Sequence, residues 1–598
     1  MEESMTLNIS KLLLLALSVL LFAAPASAQE KITTRWAAGI TPENAHREHP
    51  RPQMVREDWL NLNGEWDYAI ANRNDNAPSR YSGKILVPFP IESELSGVKK
   101  RVAASQRLWY RRSILLPDGW SGKRVLLHFG AVDWETQVWV NGQEAGEHRG
   151  GYDPFTIEIT PYLTAEDKQK IVLAVWDPTD DGYQARGKQV NNPHAIWYTP
   201  TTGIWRTAWL EAVPETSIDS FKIIPDIDNS ALYISADIRG SSEGLTLTAV
   251  ATDSGRKVAE VIGSADDQLV LKMQTPKLWS PDSPFLYDLE LTLSANGKSI
   301  DTVTGYFGMR KISLDRDSAG VQRLFLNNEP LFQFGPLDQG FWPDGLYTAP
   351  SDEALKYDVE VTKRLGFNMA RKHVKVEPDR WYYWCDKLGL IVWQDMPSGD
   401  RYIRPDEADI TRSAQSAEQF DTELKALIDS YHNHPSIVMW VPFNEGWGQF
   451  DTERITAWIK AYDPTRLVIN TSGWSDRSVG DVHDIHSYPG PAMPPLSGSR
   501  AAVLGEFGGL GLPVAGHTWQ DEKNWGYRNY KDAAELTKNY VTLIDKLLPL
   551  KAKGLAAAVY TQTSDVEIEV NGLMTYDREI IKMDEAKIRK TNLRMYGK

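Results

Sequence analysis

The sequence predicts three domains in a row: a β-sandwich, a shorter sandwich of immunoglobulin-like length, and a (β/α)8 barrel. Three observations carry that prediction. At 598 residues the chain is too long for one domain, and ~150 residues each gives three or four. Before residue 315 the pattern is strand-like with no helical period, and two Asn-Gly pairs mark hairpin turns. Beyond it, strand-like runs alternate with amphipathic helices, the rhythm of βα units and a parallel sheet.

Composition narrows the function. Charged residues at 24% and hydrophobic residues at 42% exclude wholesale disorder. A net charge of −15 argues against a nucleic-acid partner, which needs a basic surface. Trp (22) outnumbers Phe (16), which suits a β scaffold or stacking on sugar faces as well as core packing. The single Cys385 excludes intramolecular disulfides and any cysteine-built metal site.

Residues 1–28 read as a cleaved export signal. Lys11 precedes an apolar run from Leu12 to Ala24, and Ala26-Ser27-Ala28 supplies the small-residue cleavage pattern. The run is too short for a membrane span and no cysteine follows it, so the expectation is a periplasmic or secreted protein without a membrane anchor.

Residues 29–214 hold runs such as Val125-Leu126-Leu127-His128-Phe129 and Thr136-Gln137-Val138-Trp139-Val140, the latter closed by Asn141-Gly142. A sandwich of short strands is the natural solution. Residues 215–314 form the second sandwich, with Asn296-Gly297 as a hairpin. There Gly240-Ser241-Ser242-Glu243-Gly244 matches the GxSxG pattern of serine hydrolases, but no strand-to-helix elbow surrounds it.

Residues 315–598 are the barrel. Its strands are expected at Leu331–Phe334, Asn368–Arg371, Ile391–Trp393, Ile437–Val441, Leu467–Asn470, Asp484–His486, Ala502–Leu504 and Ala556–Tyr560, with helices including Asp352–Leu365, Glu418–Tyr431 and Asp532–Leu547. Active sites of such barrels lie at the carboxyl ends of the strands. Strand four runs into Asn444-Glu445-Gly446-Trp447, and strand seven into Gly505-Glu506-Phe507-Gly508-Gly509. One Glu after a strand is as readily a cap partner or a surface charge. Two facing each other across a barrel mouth are what glycoside hydrolysis requires: one carboxyl protonated to help the leaving group, one ionised to meet the positive sugar carbon.

With these residues in view, the chain resembles glycoside hydrolase family 2, the family of β-galactosidases, β-glucuronidases and β-mannosidases. The resemblance covers the mature chain. It is carried by Trp59-Leu60-Asn61-Leu62-Asn63-Gly64-Glu65-Trp66, Val87-Pro88-Phe89-Pro90, Leu108-Trp109-Tyr110-Arg111-Arg112, Val138-Trp139-Val140-Asn141-Gly142, Leu278-Trp279-Ser280-Pro281, Pro284-Phe285-Leu286-Tyr287, and His434-Pro435-Ser436-Ile437 leading to Asn444-Glu445. It implies a sugar-binding jelly roll, an immunoglobulin-like domain and a catalytic TIM barrel. It also implies a retaining mechanism with Glu445 as acid/base and Glu506 as nucleophile.

The resemblance further implies that Asn444 contacts the sugar 2-hydroxyl, and that Tyr488 touches the nucleophile, where a phenol donor would favour the ionised carboxylate. Asp338, Arg371, Asp395, Trp474 and His486 also fall at strand ends and stand evenly between substrate contact and barrel-mouth salt bridge. The chain departs from the family in three places. His373 sits one place earlier than the family's histidine, Gly335-Pro336-Leu337-Asp338-Gln339 replaces basic or His residues, and Tyr560 stands where strand eight commonly closes on Trp.

His46 and His49 lie in a loop with no HExxH or carboxylate cage, so no catalytic metal is expected. No phosphate loop or dinucleotide fingerprint is present, so no nucleotide cofactor is expected. The sequence reading is an exo-acting retaining β-glycosidase acting on oligosaccharides, with β-galactosidase leading and β-glucuronidase or another β-glycosidase as the alternative. A non-catalytic carbohydrate-binding protein is the rival of another class. Burial near Glu506 is expected to raise the pKa of Glu445. A neutral sugar is favoured because the family's glucuronidases carry an Asn-x-Lys element, whereas Asn571 has no Lys beside it and Glu567 and Glu569 lie close by. Arg371, Lys372, Lys375 and Arg578 stand as substitute cations.

Overall fold

A computed structural model describes residues 32–597, so the expected export signal and its cleavage point lie outside the described residues. The first sandwich pairs a six-stranded antiparallel sheet with a four-stranded one. Trp66, Tyr110, Leu127, Leu173 and Leu210 fill the layer between them. Asn141 and Gly142 both take positive φ, +51° and +83°, between Glu135–Val140 and Gln143–Arg149. That is the left-handed pair that a two-residue hairpin needs to match the strand twist.

The second sandwich begins at Ser217–Asp226 and packs a three-stranded sheet on a four-stranded one. Leu232, Ile234, Leu247, Leu289 and Leu291 alternate inward to make its core. The GxSxG match falls in the exposed turn between strands Ala231–Arg239 and Thr246–Asp253, with no helix after it.

Eight parallel strands follow, labelled in chain order: β1 Gln333–Asp338, β2 Met369–Lys372, β3 Ile391–Asp395, β4 Ile437–Val441, β5 Leu467–Val468, β6 Val482–Ser487, β7 Ala501–Gly508 and β8 Leu555–Thr561. They form one sheet in the order β5-β4-β3-β2-β1-β8-β7-β6. The seam between β5 and β6 is bridged rather than laddered. The Asp481 amide donates to the Val468 carbonyl at 2.9 Å, and the Val468 amide donates to the Asp481 carboxylate at 2.9 Å. Every strand but β6 is buried along its whole length, which is why these runs read as apolar rather than alternating.

Boundaries differ from the sequence reading where side chains compete with the backbone. β5 spans only Leu467–Val468, and just beyond it the Asn470 side-chain amide donates to Asp476 and to the Val479 carbonyl. One barrel helix starts earlier than expected, at Ala414, because Ser413 caps it by accepting from the Ser416 amide. Another runs through Pro549 to Lys553 and ends at Gly554, where φ is +137°. A short three-stranded sheet containing Ile312, Leu324 and Leu326 packs against the amino-terminal end of the barrel core. Among the described residues no helix is long and apolar enough to cross a membrane.

One connection matters for the site. The segment between sandwich strands Lys168–Trp176 and Gly203–Ile204 leaves its own domain and lies on the barrel. The amides of Arg186 and Gly187 donate to the Ser398 carbonyl at 2.8 and 2.9 Å, and the Thr199 amide donates to Glu567 at 2.9 Å.

Candidate active site

Two glutamates from opposite parts of the barrel meet at its carboxyl end. Glu445 follows β4 in a left-handed backbone conformation, φ +53°. Such conformations are sparse for non-glycine residues and cluster at functional sites. Glu506 lies within β7 and is 5% exposed. One carboxylate oxygen of each, with a ring nitrogen of His486, lie within 4.8 Å of one another. Gly473 allows this approach: a Cβ there, at φ +99°, would lie 3.1 Å from His486 and 3.2 Å from Glu445.

Arg371, at the end of β2, joins the strand ends electrostatically. Its guanidinium donates to both oxygens of Asp395 at 3.1 and 2.8 Å, to Glu506 at 3.0 Å and to the Asn444 side-chain oxygen at 2.7 Å. Its side chain is fully buried. A buried fork with two carboxylates and a carbonyl fixes Glu506 and Asn444 relative to each other.

His486, on β6, lies between the two glutamates. Its Nδ1 is 2.7 Å from Glu445 Oε1 and 3.6 Å from Glu506 Oε2, and its Nε2 is 2.9 Å from the Ser472 hydroxyl. That hydroxyl donates to Asp484 at 2.5 Å. Burial opposes charge on His486, but Glu506, Glu445 and Asp484 outweigh it and hold its pKa above the ordinary value.

The expected rise at Glu445 is overturned. Burial does push its carboxyl up and is the largest single effect. The hydrogen bond and charge of His486, with Lys188 and Arg371, nonetheless bring it below its ordinary value. The contact between the two therefore stabilises the carboxylate form of Glu445 and the protonated form of His486. Sequence spacing gives no sign that an imidazole from β6 arrives 2.7 Å from this carboxylate.

Tyr488 donates to Glu506 Oε2 at 2.5 Å and lies 2.7 Å from the Thr561 hydroxyl. Its ring stacks on Tyr527 at 3.9 Å. His373 places Nδ1 3.2 Å from Asp395 and 4.0 Å from Glu506. Burial, with Lys188 and Arg371 nearby, pushes its pKa down and keeps the ring neutral. Trp474 is 42% exposed, with its ring 5.6 Å from His486 and nearly perpendicular to it. The structure thus brings together Glu445, Glu506, Asn444, Arg371, His373, Asp395, His486 and Tyr488, with Trp474 at the rim.

Two strand-end residues stand apart from this cluster, Asp338 in the salt-bridge role that the sequence left open beside substrate contact. Asp338 accepts from Lys372 at 2.8 Å and from the Gly340 amide at 2.9 Å; it is part of a buried ion-pair network with Glu377 beside the site. Tyr560 does not close the mouth. It packs edge-on against Tyr540 of the outer helix layer, because adjacent strand residues face opposite ways and Thr561 takes the inward position.

Other site residues carried no signal in the sequence. From the sandwich segment come Lys188, Trp197 and Tyr198; the Tyr198 hydroxyl donates to Glu569. The Glu569 carboxylate also accepts from Asn571 at 2.9 Å. Trp197 packs at 4.9 Å on Trp447, two residues past Glu445. The Glu445, His486 and Glu506 group is the set of three carboxylate and imidazole ligand atoms near enough to hold a metal ion among the described residues, but His486 Nδ1 is already engaged by Glu445.

Comparison with known proteins agrees with this architecture. Residues 84–214 match the sugar binding domain of glycosyl hydrolases family 2, residues 216–310 match glycosyl hydrolases family 2, and residues 348–490 match that family's TIM barrel domain. A β-galactosidase of Thermoanaerobacter pseudethanolicus is 28% identical over 417 residues, 66% of this chain and 53% of that protein. A β-glucuronidase of Bacteroides fragilis is 24% identical over 541 residues, 79% of this chain and 73% of that protein. The chain thus spans about half the length of the first of these relatives. The solved structure of a β-D-glucuronidase from Dictyoglomus thermophilum superposes with a TM-score of 0.72 at 19% identity, covering 91% of this chain and 98% of that one. With all three domain models matched in chain order and the barrel closed around two facing glutamates, the chain belongs to glycosyl hydrolases family 2.

Proposed function

We propose that the protein is an exo-acting retaining β-glycosidase. The observation that carries this is the spacing of Glu445 and Glu506, with carboxylate oxygens within 4.8 Å. Retaining enzymes hold their carboxyls about 5–5.5 Å apart, whereas inverting enzymes leave ~6.5–9.5 Å for a water. Glu506, aligned by Arg371 and Tyr488, attacks the anomeric carbon as the bond to the departing oxygen breaks. Glu445 supplies the proton to that oxygen, with His486 Nδ1 2.7 Å away to exchange a proton with it. Water then enters, Glu445 takes its proton, and the hydroxyl displaces Glu506 from the sugar with net retention.

The sugar is the finer question, and relatives bear both the β-galactosidase and the β-glucuronidase name. The β-galactoside favoured by the sequence rests on the lack of a lysine beside Asn571. One observation favours a uronide instead: a lysine from the sandwich domain stands over the same mouth. A panel of nitrophenyl glycosides, with the product anomer followed by NMR, tests the reading. Release of the β-anomer first supports it. An α-anomer would indicate inversion, and binding without turnover would favour a carbohydrate-binding protein.

A further inference from the structure

We infer that Lys188 anchors a negatively charged group on the bound sugar, so that this site takes an acidic β-glycoside, a uronide. This rests on the glycosidase reading above and names its substrate class.

Five cations from the barrel itself are committed to carboxylates. Arg371 pairs with Asp395 and Glu506, Lys372 with Asp338 and Glu377, and Lys375 with Glu377. Arg578 pairs with Asp358, and Lys582 with Asp565. The four substitute cations suggested by the sequence are therefore all engaged.

Lys188 is different. It is 7% exposed, yet among the described residues its ammonium forms neither an ion pair with a carboxylate nor a hydrogen bond. Its aromatic neighbour is Trp197, with the ammonium 5.0 Å from the ring centroid. Its stem is buried while its ammonium stays open to the mouth with no carboxylate beside it, which leaves a positive charge that an incoming anion can pair with.

Its place is fixed by the backbone. Gly187 takes φ +59°, and a Cβ there would lie 2.5 Å from the Val374 carbonyl, so the segment is seated directly on the barrel. The Lys188 carbonyl accepts from the Tyr198 amide at 2.9 Å. The ammonium lies 5.0 Å from the Trp197 ring, which packs at 4.9 Å on Trp447 two residues past Glu445, and its charge is felt by Glu445, His373 and Glu569. Burial, reinforced by the charge of Glu506, pushes the Glu569 carboxyl up and weakens the repulsion it would set against an incoming carboxylate. A ring carboxylate held by Lys188 would meet a cation supplied by the sandwich domain rather than by the barrel itself.

The test compares wild type, Lys188→Met and Lys188→Arg on nitrophenyl β-glucuronide, β-galacturonide, β-galactoside and β-glucoside. A charge-assisted hydrogen bond predicts that wild type favours a uronide over its neutral counterpart about tenfold or more in kcat/KM. Lys188→Met should shrink that ratio by about tenfold to a hundredfold, mainly through KM, and Lys188→Arg should restore part of it. Calorimetry with free D-glucuronic acid reads the same site without turnover, and its binding should be lost in Lys188→Met. A wild-type preference for neutral glycosides, or an equal loss on both classes in Lys188→Met, overturns the inference and leaves the glycosidase reading standing. Failure to turn over any of the four glycosides, combined with no uronate binding, defeats both.

Discussion

Replacing Tyr488 by Phe removes one hydroxyl from the site and leaves its ring in place. The stack on Tyr527, at 3.9 Å and 7° between planes, does not involve the lost oxygen. What disappears is the 2.5 Å donor to Glu506 Oε2 and the contact of 2.7 Å with Thr561. Glu506 keeps Arg371 on its other oxygen at 3.0 Å, so its position holds while Oε2 retains His486 at 3.6 Å. A hydrogen bond to a charged group contributes about 1.5–3 kcal/mol. At about 1.4 kcal/mol per decade, that corresponds to about tenfold to a hundredfold in rate. The bond serves the ionised carboxylate, so its loss should fall on the step that regenerates that charge, hydrolysis of the glycosyl-enzyme. Stopped-flow measurement with an accepted nitrophenyl glycoside should show a burst of nitrophenolate followed by slow turnover, with kcat and KM falling together. A kcat within about twofold of wild type, or a linear trace with no burst, would refute the assignment of Tyr488 to the nucleophile.

Glu506→Ala should abolish turnover of every substrate, while Glu445→Ala should retain the first step on activated aryl glycosides and recover turnover with azide; full activity in Glu506→Ala would return the protein to the binding class. Arg371→Met strips the cation from two buried carboxylates, Asp395 and Glu506, and should destabilise the fold by about 3–5 kcal/mol in chemical denaturation, more than Trp474→Ala at the exposed rim. Glu211 is held below its ordinary value despite burial by Arg51, His128 and Arg56, so its contribution is present above the unfolded carboxylate pKa and is lost as pH falls through the lower folded one. Glu211→Gln should therefore cost stability near neutral pH, with the difference from wild type shrinking in acid; a difference that is constant with pH would contradict the ion-pair account.

The local sequence determined much of this protein. Runs alternating with amphipathic helices were enough to locate all eight barrel strands. Seven of them showed the apolar run that a parallel strand buried on both faces leaves, and the half-buried β6 was located by its place in the rhythm. Glu445 and Glu506 were legible because the barrel puts the end of each strand at one mouth, so position along a strand already implies position in space. The Asn141-Gly142 hairpin was legible for a similar reason, since its turn is settled by two residues' own backbone preferences.

What the sequence did not contain was the charge state of the site. The proton that Glu445 would donate depends on His486, a neighbour from another strand at 2.7 Å, and no spacing rule sets the meeting of β4 and β6 side chains to that precision. The sequence pointed to Tyr560 at the end of strand eight, and only the sheet decided that its neighbour Thr561 faces inward. Lys188 was the hardest to foresee, because it belongs to a different domain and joins the site through a segment held by backbone contacts to Ser398. Pattern fixes elements whose energy is local. Electrostatics falls off with distance in space rather than along the chain, so the groups that set a proton's position were decided by tertiary structure alone.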